Sequence, residues 1–249
     1  MTHTLDSTAR RALVIGGSTG VGSGIAAGLA DAGYDVRILS RSRPQREHAG
    51  WICADLNDAG RTHDVLAEVA ATPLSVLCFS AAVYGTSRRM LVDTPRAEWT
   101  SQVDVMLHGL WSALHACLPS LTAEPPGLVI GVSSEVVHNA GPGRSGYAAV
   151  KAAASAMLRS VRQEYDAATL RVVEVLPHGM VDSPGIRARR AEGFDYSGYA
   201  SPGAFEAVAT HLGQTRGELD DGRELVVRAD GTWYDLATES RPPSQSRAL

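Results

Sequence analysis

Three side chains with complementary acid–base chemistry lie close together in the second half of the 249-residue chain. Ser134 follows an apolar run, Tyr147 comes thirteen positions later, and Lys151 four positions after that. Residues four apart share one helix face, and a cation there lowers the cost of ionising a phenol, whose ordinary pKa is about 10. The spacing favours a tyrosine that exchanges protons with an oxygen held by Ser134. On its own, an exposed helix turn explains the Tyr-x-x-x-Lys pair as well, so the surrounding elements must decide.

The amino-terminal part of the chain carries an element suited to phosphate. Apolar residues at 12–15 predict a strand, and a cluster of glycines precedes an alanine-rich helix. Glycines permit positive φ angles and close backbone approach, and the new helix N-terminus offers free N–H groups. Strand, glycine loop and helix in this order predict dinucleotide binding, whereas a structural turn needs fewer glycines. The expected binding residues of this loop are Gly16, Ser18, Thr19, Gly20, Val21 and Gly22.

The end of the second predicted strand bears on which dinucleotide binds. Asp35 to Leu39 reads as a strand, and Ser40 and Arg41 follow it. A site that prefers NAD places an Asp or Glu near this point to hold the ribose 2′-hydroxyl. A hydroxyl and a guanidinium instead suit a 2′-phosphate, which an acidic side chain would repel. NADP(H) is therefore the expected cofactor, with NAD(H) as the alternative.

Strands and helices alternate along the remainder of the chain. Further apolar runs predict strands at 51–53, 74–79, 128–132, 170–176 and 224–227. This alternation predicts an α/β protein with a Rossmann-type, doubly wound, mostly parallel sheet in three α/β/α layers. Ligands of such folds bind beyond the carboxyl ends of the strands, where the glycine loop, Arg41, Ser134 and His178 all fall.

Domain organisation and composition narrow the classes of function. We expect a single domain over 11–240, a flexible N-terminus at 1–10 and a disordered polar tail at 241–249. The net charge of −4 and pI near 6.1 give no basic footprint for nucleic acid. Without a run of eighteen apolar residues or an apolar signal core, the sequence predicts no membrane span and a cytoplasmic protein.

The cysteines and histidines do not suggest a metal centre. Cys53 and Cys78 lie in strand-like apolar runs, so they are expected to be buried, reduced thiols, and Cys117 is remote from both. The eight histidines show no ligand spacing, and no metal is expected.

In combination the motifs resemble those of the short-chain dehydrogenase/reductase (SDR) family over essentially the whole ordered length. The match comprises Gly16-x-x-x-Gly20-x-Gly22, Asp55, and Ser134 with Tyr147-x-x-x-Lys151, in the family's order. The resemblance implies a Rossmann-type fold of about seven strands and a nicotinamide cofactor. It also implies a homodimer or homotetramer formed through the long helices.

The resemblance also implies roles for individual residues. Tyr147 would be the proton donor or acceptor, and Lys151 would lower its pKa and hydrogen-bond the nicotinamide ribose. Ser134 would bind the carbonyl or alcohol oxygen. Asp55 would lie by the adenine ring, or serve only as a helix cap or turn residue, and Ser183 would contact the carboxamide. The other expected cofactor-binding residues are Leu56, Ser80, Ala81, Ala82, Pro177, Gly179 and Val181.

The chain departs from the family pattern at four places. Ile15 replaces the threonine before the loop, and the Asn-Asn-Ala-Gly after the fourth strand is Phe-Ser-Ala-Ala at 79–82. Met106 aligns with the catalytic asparagine; because a thioether is a poor acceptor and no donor, the usual proton relay must be rebuilt or absent. The family's Pro-Gly reads Pro177-His178, and that imidazole is expected either near the nicotinamide or substrate or as a structural wedge.

The leading interpretation is an NADP(H)-dependent oxidoreductase of the ketoreductase kind. It would reduce a ketone or similar carbonyl group, or oxidise the matching alcohol, in a biosynthetic pathway. Met106 leaves open a dehydratase, epimerase or cyclase without net redox change. A non-catalytic, cofactor-binding regulatory protein is a third possibility, against which the retained Ser134, Tyr147 and Lys151 speak.

The substrate pocket is expected to form from three loops. These are 135–144, 84–90 and a lid at 182–201. The lid contains Phe194, Tyr196 and Tyr199, which either cover an aromatic or polycyclic substrate or pack the lid shut. Substrate identity and reaction direction do not follow from these patterns.

Overall fold

The computed structural model describes residues 10–45, 50–85 and 87–239. Within these ranges the strands are β1 (Arg11–Ile15), β2 (Asp35–Ser40), β3 (Gly50–Cys53), β4 (Val76–Phe79), β5 (Gly127–Val132), β6 (Leu170–Pro177), β7 (Glu224–Val227) and β8 (Trp233–Asp235). The helices are α1 (Gly20–Asp31), α2 (Ala59–Ala70), α3 (Arg96–Val103), α4 (Gly109–Ala123), α5 (Val136–Asn139), α6 (Ser145–Glu164), α7 (Pro184–Arg187) and α8 (Glu206–Thr215). The flexible N-terminus predicted at 1–10, apart from residue 10, and the tail predicted at 241–249 lie outside the described residues.

The strands of the described chain form one sheet in the order β3-β2-β1-β4-β5-β6-β7-β8. All neighbouring pairs are parallel except β7 and β8, which are antiparallel. The Rossmann-type, doubly wound sheet is confirmed, but the expectation of about seven strands is wrong by one. A turn with Gly231 at φ 85° reverses the chain and adds β8. At three residues, β8 is too short to show a periodicity.

Helices cover both faces of the sheet. Helices α2, α4 and α6 pack on one face, and α1 and α8 pack on the other. Residues of β1 alternate between the two cores, with Leu13 and Ile15 on the first face and Ala12 and Val14 on the second. A Cβ at Gly24 would collide with the carbonyl oxygen of Pro202. Because Gly24 has no Cβ, α1 packs directly against the turn at Pro202–Phe205 that leads into α8.

Three local features differ from the expectations. A π-helical turn, Asp104–His108, joins α3 to α4 and buries Met106, whose side chain is 1% exposed. The apolar spacing after Lys151 predicts a helix that continues to about residue 167, but the helix ends at Glu164. The segment expected to be a loop at 182–201 contains α7.

The cysteines only partly match the prediction. Cys78 and Cys117 are buried, and burial raises the pKa of the Cys117 thiol to about 12. Cys53 is exposed, because β3 is an edge strand that leaves this position open to solvent. The expectation of a buried thiol at Cys53 is therefore wrong. In the described part of the chain, no helix is long and apolar enough to cross a membrane.

Candidate active site

A cavity of about 720 Å³ opens at the carboxyl ends of the parallel strands. Doubly wound sheets bind ligands at this edge, and the volume lies in the usual range for small-molecule sites. The structure brings all the predicted site residues to its wall except Gly22. Those that line it are Gly16, Ser18, Thr19, Gly20, Val21, Ser40, Arg41, Asp55, Leu56, Ser80, Ala81, Ala82, Ser134, Tyr147, Lys151, Pro177, Gly179, Val181 and Ser183.

The glycine loop has the close packing that its sequence predicts. Gly16 has φ 81°, and a Cβ there would lie 2.6 Å from the backbone of Ala81. Gly22 is buried behind the loop, where a Cβ would collide with the carbonyl oxygen of Gly16. Gly22 therefore packs the helix start against the strand ends instead of facing the cavity. Gly20 begins α1 at the cavity wall, so the free N–H groups of the first helical turn lie at its edge.

The far end of the cavity contains Ser40, Arg41 and Asp55. The Ser40 hydroxyl donates to the carbonyl oxygen of Ser42 at 2.8 Å, while Arg41 is exposed. Asp55 Oδ1 accepts from the backbone N–H of Asn57 at 3.0 Å and from its side-chain amide at 2.9 Å. These hydrogen bonds hold the pKa of Asp55 below its ordinary value. Asp58, not Asp55, caps α2, so Asp55 is a turn residue that also lines the cavity.

The beginning of α6 presents Tyr147 and Lys151 to the cavity, opposite the end of β5. The Lys151 Nζ lies 6.0 Å from the centroid of the Tyr147 ring and donates to the carbonyl oxygen of Val132 at 2.7 Å. Burial lowers the pKa of Lys151 to about 8, although the carboxylate of Glu174 opposes this shift. The predicted helical pairing of Tyr147 and Lys151 is thus present, with the amine directed at a backbone carbonyl.

The acid–base character of Tyr147 differs from the expectation. Burial raises the pKa of Tyr147 well above its ordinary value, and a hydrogen bond with Tyr84 raises it further. A hydrogen bond with Ser134 and the charge of Arg189 lower it by less. The predicted net lowering by Lys151 is wrong for this geometry, because burial raises the pKa of the phenol and Lys151 is not among the groups that lower it. Tyr147 is therefore a protonated hydroxyl at neutral pH.

Tyr84 and Arg189 belong to this cluster, although no motif pointed to either. The rings of Tyr84 and Tyr147 have centroids 5.2 Å apart, and the guanidinium carbon of Arg189 lies 5.4 Å from the Tyr84 ring centroid. Both residues line the cavity. The available signal was their position: Tyr84 begins the predicted pocket loop 84–90, and Arg189 lies in the predicted lid 182–201 within a basic cluster.

A small second cavity lies behind Lys151, beside Met106. Its volume is about 10 Å³, close to the space that one water molecule needs, and its wall includes Ser133, Ser155 and Glu174. The Ser155 hydroxyl donates to Glu174 Oε1 at 2.7 Å, and burial raises the pKa of Glu174. The sequence signal for this buried carboxyl was the position of Glu174 within the apolar run at 170–176. The apolar pattern of that run predicts only a strand.

Two further expectations concern His178 and the lid. His178 is exposed, its backbone N–H donates to the carbonyl oxygen of Val227 at 2.8 Å, and its ring lies edge-on to Tyr234 at 6.3 Å. His178 is thus neither a buried wedge nor among the described residues that line the cavity, so neither of the two possibilities for this imidazole is borne out.

The lid aromatics form a cluster of their own. Phe194, Tyr196 and Tyr199 pack edge to face with centroids 5.0, 5.7 and 5.5 Å apart. None of the three is among the described residues that line the cavity. They pack the lid together, and the expectation that they cover an aromatic or polycyclic substrate has no support in this geometry.

The comparisons with known proteins agree with this fold. The family model described as short chain dehydrogenase matches residues 10–192. The chain is 30% identical over 193 residues to 2-(R)-hydroxypropyl-CoM dehydrogenase of Xanthobacter autotrophicus, covering 70% of this chain and 76% of the relative. It is 27% identical over 182 residues to the 3-oxoacyl-[acyl-carrier-protein] reductase FabG of Staphylococcus aureus, covering 68% and 73%.

A solved structure is similar over nearly the whole chain. It is described as an NAD(P)-dependent gluconate 5-dehydrogenase from Beutenbergia cavernae, with NADP bound at low occupancy. The two share 25% identity and a TM-score of 0.78, over 90% of this chain and 97% of the other. The protein belongs to the short-chain dehydrogenase/reductase family.

Proposed function

We propose that this protein catalyses the NADP(H)-dependent reduction of a ketone or related carbonyl group, or oxidation of the matching alcohol. The observation that carries the proposal is the placement of Ser134, Tyr147 and Lys151 on one cavity wall, across from a glycine loop and helix N-terminus. The FabG relative acts, by its name, on a 3-oxoacyl group, and the 2-(R)-hydroxypropyl-CoM dehydrogenase on a secondary alcohol. Both names describe carbonyl–alcohol chemistry.

The residues present fit a nicotinamide dinucleotide. Helix α1 begins at Gly20 on the cavity wall, and the free N–H groups of its first turn suit a pyrophosphate. Ser40 and Arg41 would hold a 2′-phosphate, and Asp55 would lie by the adenine. NADP in the Beutenbergia cavernae structure supports this preference. When bound, the nicotinamide supplies or accepts the hydride.

The chain's own residues then manage the oxygen and its proton. Ser134 would hydrogen-bond the carbonyl oxygen, and Tyr147 would donate a proton to it, because the raised pKa keeps the phenol protonated. Lys151, whose Nζ donates to the carbonyl oxygen of Val132, would hold a positive charge near the developing phenolate. Before substrate binds, the hydroxyl of Tyr147 is hydrogen-bonded to Tyr84. A substrate oxygen must therefore replace Tyr84 as the hydrogen-bond partner of Tyr147.

The direct test is NADPH oxidation with a panel of cyclic and acyclic ketones. Tyr147→Phe should reduce turnover at least about 100-fold, the scale of general acid catalysis, while the Kd for NADPH stays the same. Tyr165→Phe, at the other end of the same helix, is the matched control and should retain activity. Undiminished turnover by Tyr147→Phe would refute the assignment.

A second candidate is a dehydratase, epimerase or cyclase of the same fold. Met106 supports it, because a buried thioether cannot serve the proton relay of the usual asparagine. Product formation without net NADPH consumption would favour this candidate over the first. The homo-oligomeric state and cytoplasmic location stay predictions of the resemblance.

A further inference from the structure

Three arginines in and just after α7 have different surroundings. Arg187 forms two hydrogen bonds of 2.6 Å with the carboxylate of Asp182. Arg190 donates to the hydroxyl of Tyr199 at 2.9 and 3.1 Å. Arg189 has no carboxylate at ion-pair distance among the described residues, and its buried Nε has no hydrogen-bond partner there. A guanidinium is always charged, and a buried N–H without an acceptor is unfavourable. An anion bound to Arg189 would satisfy both the charge and the unpaired N–H.

Arg189 lies at the reacting end of the cavity. Its guanidinium packs over Tyr84, whose ring contacts that of Tyr147. The charge of Arg189 lowers the pKa of both phenols, which places it within electrostatic reach of the reacting hydroxyl. Arg41, the expected partner of a 2′-phosphate, lines the wall beside β2 instead, so the two arginines mark different parts of the cavity.

The neighbouring wall adds a second unsatisfied guanidinium N–H. Arg144, just before α6, pairs with Glu135 at 3.1 Å and donates to Asn139 at 3.1 Å. Its Nε is buried and has no partner among the described residues. Because Glu135 neutralises Arg144, this side chain offers a donor without much free charge. Arg189 therefore provides the charge, and Arg144 an additional N–H at the lining of the same cavity.

We infer that the substrate carries an oxyanionic group, such as a carboxylate, phosphate or sulfonate, which binds Arg189 while the carbonyl meets Tyr147. This inference rests on the proposed carbonyl chemistry and specifies its substrate class. A planar guanidinium fork matches the geometry of an oxyanion, and the pairing supplies the acceptor that the buried Nε lacks. The anion and the carbonyl lie on one short molecule, since Arg189 and Tyr147 both flank Tyr84.

The test compares oxo carboxylates, phosphates and sulfonates with their neutral methyl esters. Wild type should show a higher kcat/KM for the anionic member of at least one pair. Arg189→Met should lower that value roughly 10- to 100-fold more than it lowers the value for the ester, the scale of a hydrogen bond to a charged group. Arg187→Met removes the same charge from the same segment without touching the cavity wall, so it should leave the preference intact.

Three results would overturn the inference. One is an equal loss of kcat/KM for acid and ester in Arg189→Met. Another is a loss of the anion preference in Arg187→Met as large as that in Arg189→Met. The third is a weaker Kd for NADPH in Arg189→Met with an unchanged anion preference, which would assign the guanidinium to the cofactor.

Failure of the proposed function has a separate signature. If no carbonyl compound consumes NADPH, the reductase assignment fails, and calorimetric binding of the same pairs to the NADP⁺ complex decides the inference. Tighter binding of the anion to wild type than to Arg189→Met supports an oxyanion site. Equal or absent binding of acid and ester overturns it.

Discussion

Replacing Lys151 by methionine should abolish turnover without making the folded chain less stable at neutral pH. Burial lowers the pKa of Lys151 from 10.5 to about 8, so keeping its ammonium buried at pH 7 costs about 3 kcal/mol of folding free energy. The variant also loses the hydrogen bond from Nζ to Val132, a charged bond worth roughly 1.5–3 kcal/mol. The difference leaves Lys151→Met between about 0 and 2 kcal/mol more stable than wild type.

The pH dependence identifies the cause. The folded-state pKa lies below the unfolded-state pKa, so the unfolded chain binds more protons at Lys151 between about pH 8 and 10.5. Wild-type stability should therefore rise with pH in this window, by about 2 kcal/mol between pH 7 and 9.5. Lys151→Met lacks this titration, and contributions from all other groups cancel in the difference between the two proteins.

The assay is urea unfolding of both proteins at pH 7 and pH 9.5, with the slopes checked for equality. The gap between the two unfolding free energies should change by about 2 kcal/mol in favour of wild type at the higher pH. A gap that is the same at both pH values would show that the amine is not buried as a destabilised cation. Turnover that persists in Lys151→Met would contradict the role of Lys151 beside Tyr147.

Two further substitutions probe the two ends of the cavity. Arg41→Asp should raise the KM for NADPH by roughly 10-fold or more and favour NADH, because the carboxylate repels a 2′-phosphate; an unchanged cofactor ratio, measured with both nucleotides, would contradict the 2′-phosphate assignment. Tyr84→Phe removes the hydrogen bond that raises the pKa of Tyr147, so that pKa should fall. The alkaline limb of kcat/KM should then move to lower pH, whereas an unmoved limb would place Tyr84 outside the acid–base cluster.

The fold was predictable because its signals are local. Buried parallel strands are short apolar runs, and glycine clusters at strand ends mark where the backbone must approach a ligand or another strand. The eighth strand was not predicted, because a strand of three residues is too short to show a periodicity. The π-helical turn at Asp104–His108 was not predicted, because its backbone hydrogen bonds differ in register from those of an α-helix without any change in side-chain type.

The site was predictable only where its residues share a motif. Ser134, Tyr147 and Lys151 come together because one strand end and one helix start position them. Tyr84 and Arg189 join them from loops distant in sequence, and that contact depends on tertiary packing. The pKa of Tyr147 was misjudged for the same reason: the nearby cation was visible in the sequence, but the burial of the phenol was not.

The burial of Lys151 has a chemical consequence, because it is the only lysine of the chain. With its pKa near 8, about a tenth of the amine is neutral and nucleophilic at pH 7, and half at pH 8. Its side chain is reached through the cavity, so an amine-directed reagent that modifies it must first enter the space meant for cofactor and substrate. Lys151 can thus report cavity occupancy free from background labelling by other lysines, with the α-amino group as the remaining aliphatic amine to be accounted for.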